Sequence, residues 1–137
     1  MSTILVDNLT GKTSAGSITV TSEGGAATQS LQQGLAKAWV NFTTITTTSS
    51  NDSLNVSGLV DNGTGQTQVS FVNSMSAATY LGVGITNGYN GTGSGFFTSN
   101  AQCFILGRTT GLYLHENYTN AYIDGALNDS AIHGDLA

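Results

Sequence analysis

Few residues in this chain could do covalent or metal chemistry, and their spacing builds no known catalytic frame. There is one cysteine, Cys103, and two histidines, His115 and His133. Cys103 lies in the apolar run Cys103-Phe104-Ile105-Leu106, which reads as a buried structural thiol rather than a nucleophile. A single cysteine cannot close an internal disulfide. His115 sits in the alternating segment Leu112-Tyr113-Leu114-His115-Glu116, on the side of Tyr113 and opposite Leu112 and Leu114. That pattern predicts a histidine exposed on a strand. Asp124, Asp129, His133 and Asp135 gather near the C-terminus and could meet a divalent cation. Their spacing is not that of a twelve-residue calcium loop, so no metal or other cofactor is assigned. Gly91, Gly93 and Gly95 imitate a phosphate loop, with neither the lysine nor the helix that should follow. No nucleophile motif frames a serine. The paired carboxylates and long cleft of a polysaccharide depolymerase are missing. The expectation is a protein that is not an enzyme.

One stretch reads as built for contact. Residues 86–100, TNGYNGTGSGFFTSN, set Tyr89, Phe96 and Phe97 among small polar residues. Rigid rings in a flexible polar frame are the composition of binding loops, and a long loop in a compact domain is often functional. Ring faces beside amide side chains suit an uncharged sugar. Asn87, Tyr89, Asn90, Phe96 and Phe97 are therefore the receptor-contact candidates, with a host-surface glycan as the ligand. The competing reading is that Phe96 and Phe97 open a core strand.

Charge narrows the partners further. Three basic residues, Lys12, Lys37 and Arg108, stand against eight acidic ones, for a net charge of −5. No basic patch can form, which excludes phosphate-led nucleic-acid binding and attraction to an anionic membrane. No apolar run is long enough to span a bilayer. Met1-Ser2-Thr3 lacks the basic start of a secretory leader. Charged residues are only 8 %, hydrophobic residues 39 %, and glycines number 18. Ser, Thr and Asn take the place of charge. This suits pleated sheets with tight turns and close subunit packing, where buried charge is costly.

The elements that must position these residues fall into two groups. Ile4-Leu5-Val6 with Leu9 is one short apolar run, and Ile18 and Val20 alternate with polar neighbours as a half-exposed strand. An arm of this kind finishes its sheet against another copy or a partner. Thr28 reads as an N-cap. Leu31, Leu35, Ala38 and Trp39 then recur at spacings of four, three and one, and the first three lie on one helical stripe with coiled-coil spacing. A helix of about three turns is marginal alone, so these four residues are the candidate oligomer interface.

The segments AKAWVNF and SLNVSGLVDNGTGQTQVSFVNSMSAATY, together with LQQGLAKAW, resemble short tail-fibre and virion structural proteins of tailed bacteriophages, of the marine and cyanobacterial type. The resemblance covers residues 2–80, and the pattern DNGTGxxxVxFxNxM within residues 60–75 is its most specific part. It implies a β-rich, homotrimeric virion component that is not an enzyme. The N-terminal arm would attach to other virion proteins, on the tail or on the capsid surface, after synthesis in the host cytoplasm.

The rest reads as β-structure. Residues 53–60 alternate, Asp61-Asn62-Gly63-Thr64-Gly65 reads as a hairpin turn in which Asn-Gly supplies positive φ values, and residues 67–72 return. Leu81, Val83 and Ile85 alternate with Gly82 and Gly84, which predicts close approach of another backbone or ring at those glycines. Residues 104–106, 112–114 and 121–123 complete about six strands. The expected fold is mainly β: an extended N-terminal arm with one short helix (residues 1–42), a linker (43–52), and a small β-sandwich or jelly-roll-like domain (53–137), assembled as a trimer. Two functions fit, a tail-fibre or spike-type appendage contacting the host, or a capsid decoration knob.

Overall fold

A computed structural model describes residues 4–14, 17–89, 102–118 and 121–137. It is mainly β, with one short helix. The chain forms two compact units, residues 1–35 and 36–137.

The first unit holds a small antiparallel pair, β1 (Thr19–Thr21) and β2 (Thr28–Ser30), with Thr19 opposite Ser30. The arm strand thus pairs with its own chain. Helix α1 (Leu31–Gly34) is one turn only. Ser30, not Thr28, is its N-cap, its hydroxyl accepting from the Gln33 N–H at 3.4 Å. Gly34 ends it, and Leu35 is already extended, with φ −93° and ψ 142°. The expected helical stripe therefore does not exist. Leu31 is half-buried and Leu35 exposed in this unit, whereas Ala38 and Trp39 belong to a strand of the second.

That strand is β3 (Ala38–Thr43), buried and half-buried at alternate residues. Ala38, Val40 and Phe42 point inward and Trp39, Asn41 and Thr43 outward, a period of two that propensity reinforces through Trp, Val, Phe and Thr. The expected linker is the hairpin joining β3 to β4 (Ser49–Leu54). Thr46 takes φ 64° in its turn, and the buried Thr44 anchors it by accepting from the Gly125 N–H at 2.8 Å.

The second unit also contains β5 (Val56–Gly63), β6 (Gln66–Phe71), β7 (Leu81–Tyr89), β8 (Gln102–Leu106), β9 (Leu112–Tyr118) and β10 (Gly125–His133). Two four-stranded antiparallel sheets form, in the orders β4-β3-β10-β7 and β5-β6-β9-β8. Between β4 and β5 the chain passes from one sheet to the other through one residue, Asn55, with φ 57°. Its amide donates to the carbonyls of Lys37 and Asn73 and accepts from the Asn73 N–H, pinning the corner. The β5–β6 turn falls within the expected segment 61–65, at Thr64-Gly65, because Gly63 already pairs with Gln66.

The core lies between the sheets. Ala38, Val40, Phe42 and Ile132 from one meet Val69, Phe71 and Tyr113 from the other, closed by Met75 and Tyr80. The close approach expected at Gly82 and Gly84 is present, made by side chains of the facing sheet. A Cβ at Gly82 would stand 2.5 Å from Ile105 Cγ2, and one at Gly84 would stand 2.6 Å from Cys103 Sγ and 3.2 Å from His115 Cε1.

Candidate functional site

Strands β8 and β9 carry most of the chemistry-bearing side chains, and alternation sends them to opposite sides. Cys103, His115 and Asn117 point inward. Phe104, Glu116 and Tyr118 point outward.

His115 is therefore not an exposed strand histidine. It is 1 % exposed, and its ring meets that of Phe42 edge-on at 5.0 Å. Its proton can be placed from backbone carbonyls. Asn128 Nδ2 donates to the carbonyls of Phe42 (3.3 Å) and Gly125 (3.2 Å), which can only accept. Asn128 Oδ1 therefore accepts from Thr86 Oγ1 and from Asn117 Nδ2, both at 2.7 Å. Asn117 Oδ1 is left to accept from His115 Nε2 at 3.0 Å, which fixes the proton on Nε2. Cys103 Sγ lies 3.3 Å from that nitrogen and 3.7 Å from Nδ1.

A cysteine, a histidine and an asparagine in sequence along a hydrogen-bonded path look like a nucleophilic triad. The electrostatics oppose it. Burial pushes the Cys103 thiol up to about 12. Burial also pulls His115 down to about 4, against the Asn117 bond and the Asp129 charge, which favour its protonation. Transfer of the thiol proton to the ring is disfavoured by the wide gap between those two values, so both groups stay neutral. Cys103 is half-buried, where the sequence reading expects a buried thiol, and its sulfur faces His115 inside the sandwich.

One row on the outer face of the first sheet is apolar across all four strands. The register sets Val83, Ala131, Trp39 and Leu54 side by side, one from each of β7, β10, β3 and β4. Val83 and Leu54 are about half exposed, as are Leu81 and Ile85 beside them. A hollow of about 370 Å³ lies over Trp39, Val83, Ile85 and Asp129. Asp129 is held there by Asn41 Nδ2 at 2.6 Å. Of the four interface candidates, Trp39 lies on this face, while Ala38 is fully buried and cannot meet another chain.

The outer face of the second sheet carries a different cluster. Phe104, Tyr118, Tyr122, Glu116 and Gln102 line a groove of about 430 Å³. The rings of Tyr118 and Tyr122 stand at 80° with centroids 5.6 Å apart. Glu116 accepts from Gln66 Nε2 at 3.0 Å and from the Tyr122 hydroxyl at 3.3 Å. The sequence holds a faint signal for this cluster, since Phe104, Glu116 and Tyr118 share one strand parity; Tyr122 joins through a bridge to Tyr118 that no pattern announces.

The receptor-contact candidates are divided. Asn87 and Tyr89 lie in β7, paired with Leu127 and Gly125 of β10. Asn90, Phe96 and Phe97 lie outside the described residues, as do Gly91, Gly93 and Gly95. The C-terminal acids serve separate purposes. Asp124 accepts from the Gly65 N–H at 2.8 Å, and Asp129 from Asn41. Among the described residues, no three His, Cys, Asp or Glu side chains are grouped to hold a metal ion. No helix of the described residues is long and apolar enough to cross a membrane.

Fold and faces define the second unit as an antiparallel β-sandwich. Compared with family models, curated proteins and solved structures, the chain matches none.

Proposed function

We propose that this chain is a non-enzymatic structural protein of a tailed-phage virion, which assembles as a trimer and acts as a short tail-fibre or spike-type appendage at the host surface. The observation that carries the assembly reading is the apolar row Val83–Ala131–Trp39–Leu54, flanked by Leu81 and Ile85. Covering half-exposed aliphatic side chains contributes roughly 1 kcal/mol each, so the row and its flanks supply about 5 kcal/mol per chain toward association. A second copy of this charge-poor chain suits the row, and Asp129 at its edge is already bonded to Asn41. The virion setting rests on the resemblance of residues 2–80.

A specific observation favours a second reading, a capsid decoration knob. Fibres need a shaft, and the one described helix is a single turn. An arm with its own small hairpin, joined to a sandwich, is the layout of a surface knob.

The test is light scattering on the wild type and on Trp39→Lys with Val83→Lys. The wild type should be a trimer at micromolar concentration and the variant a monomer with the same circular dichroism. A monomeric wild type sinks the assembly reading. Particles bearing a chain that lacks residues 2–25 should show no incorporation; normal incorporation removes the arm as the attachment element.

A further inference from the structure

We propose that the groove on the outer face of β8 and β9 binds an organic ammonium cation of the trimethylammonium type. The inference stands on the second sheet alone and does not depend on the virion reading. It starts from a carboxylate. Glu116 is only 8 % exposed, yet both of its hydrogen-bond partners, Gln66 and Tyr122, are neutral donors. The described residues place no cation among its hydrogen-bond partners: Arg108 is engaged with the Tyr80 carbonyl at 2.8 Å and the Tyr80 ring, Lys37 precedes β3 of the first sheet with its N–H on the Ile132 carbonyl, and Lys12 lies in the other unit. A carboxylate has about four acceptor positions, and two are used here. Removing such a charge from water without a counter-charge is unfavourable, and a bound cation relieves it.

The surrounding rings choose the kind of cation. Phe104 stands opposite Glu116 in the strand register, and Gln102 stands opposite Tyr118. Tyr118 and Tyr122 stand edge to face, and the 80° between their planes leaves a corner in the groove that Phe104 and Glu116 also line. The faces of aromatic rings are negative and attract cations, most of all weakly hydrated alkylammonium ions. A corner of rings fits a compact tetrahedral head. A flat sugar ring, by contrast, stacks best on one open ring face, and an uncharged sugar leaves the Glu116 charge without a partner. The groove volume of about 430 Å³ holds a trimethylammonium head with its ethyl arm.

The experiment follows the ring protons of Phe104, Tyr118 and Tyr122 by NMR in the intact chain during titration with choline chloride. Parallel titrations use 3,3-dimethylbutan-1-ol, which has the same shape without the charge, and maltohexaose. Choline should saturate the three rings' shifts, and the neutral alcohol should bind at least about tenfold more weakly. Raising the salt should weaken choline binding. Glu116→Gln keeps the side-chain shape and should cost about tenfold or more in choline affinity. Phe104→Leu, at a partly exposed position, should cost several-fold with the fold intact, which covers the case in which the Glu116 variant misfolds. Three results overturn the proposal: no choline response at tens of millimolar, equal binding of the neutral alcohol, or a response to maltohexaose alone.

Discussion

Cys103 and Phe104 are adjacent residues, as are His115 and Glu116, and each pair divides between two environments with opposite chemistry. Inward, Cys103 and His115 join Asn117, Asn128 and Thr86 in a closed set of hydrogen bonds whose ends are backbone carbonyls. The set links the two sheets, and burial, rather than the bonds, disfavours the charged forms of its titratable members. Outward, Glu116 has rings and two neutral donors around it. The comparison teaches that reactive residue types do not make a reactive site. The inner cluster has the residues of a nucleophilic triad with the wrong electrostatics, and the outer one has unspent acceptor capacity on a carboxylate largely removed from water.

The sharpest way to break the comparison is to disturb the hub of the inner set. Asn128 is fully buried and makes four hydrogen bonds through one amide. Asn128→Leu leaves the donors of Thr86 and Asn117 and two carbonyls without that partner. We expect a loss of about 4 kcal/mol, read as a lower urea midpoint. Glu116→Gln, on the outer side of the same sandwich, should stay within about 1 kcal/mol of wild type, since the amide oxygen can still accept from Gln66 while its NH2 donates to the Tyr122 hydroxyl, which can also accept. Equal losses for the two variants would erase the distinction between a structural and a ligand-facing cluster.

Part of this arrangement is readable in the residues and part is not. The strands with alternating aliphatic residues, such as Leu81-Gly82-Val83-Gly84-Ile85, stand out by their period, and their glycines mark the close contact with Cys103. The β3 segment is misread because two periods overlap. Leu31, Leu35 and Ala38 fit a helical stripe, while Ala38, Val40 and Phe42 fit a strand, and only the fold shows that Gly34 ends the helix first. Strand β10 leaves almost no trace, because its inward positions include Asn128 and Ser130. Those buried polar residues bond to Phe42, Thr86 and Tyr113, partners that no local pattern reveals. His115 fails for the same reason: polarity is a good guide to exposure only where no polar network waits inside.

Acid should expose the inner cluster next. The folded-state His115 sits at about 4, against 6.5 for the free side chain, because burial disfavours its charged form. Between those two pH values the unfolded chain binds a proton that the folded chain does not. Stability therefore falls as pH drops from about 6.5 to about 4, by about 3 kcal/mol in total, and this contribution is constant outside that window. Carboxylates titrate nearby, so the measurement is the difference between wild type and His115→Gln in urea at each pH. A difference that stays flat from pH 7 to 4 would show that the folded protein accommodates the imidazolium.

The smallest effect tests how tightly the two sheets meet. A Cβ at Gly84 would stand 2.6 Å from Cys103 Sγ, with His115 Cε1 and Ile105 Cδ1 both at 3.2 Å. Gly84 lies in the regular strand β7, so strand propensity alone favours alanine there. Overpacking opposes it, and a contact this short forces the thiol or the backbone to move. We expect Gly84→Ala to lose about 2 kcal/mol. The sulfur is the nearest obstacle, so Cys103→Ala should recover much of that loss in the double variant, giving a coupling of about 1 kcal/mol or more. The same thermal or urea unfolding series on four proteins measures it. Strict additivity would mean that Ile105 or the backbone, rather than Cys103, sets the spacing of the sheets at β7 and β8. A recovery would make Cys103 a packing residue whose sulfur fills the space that Gly84 leaves open.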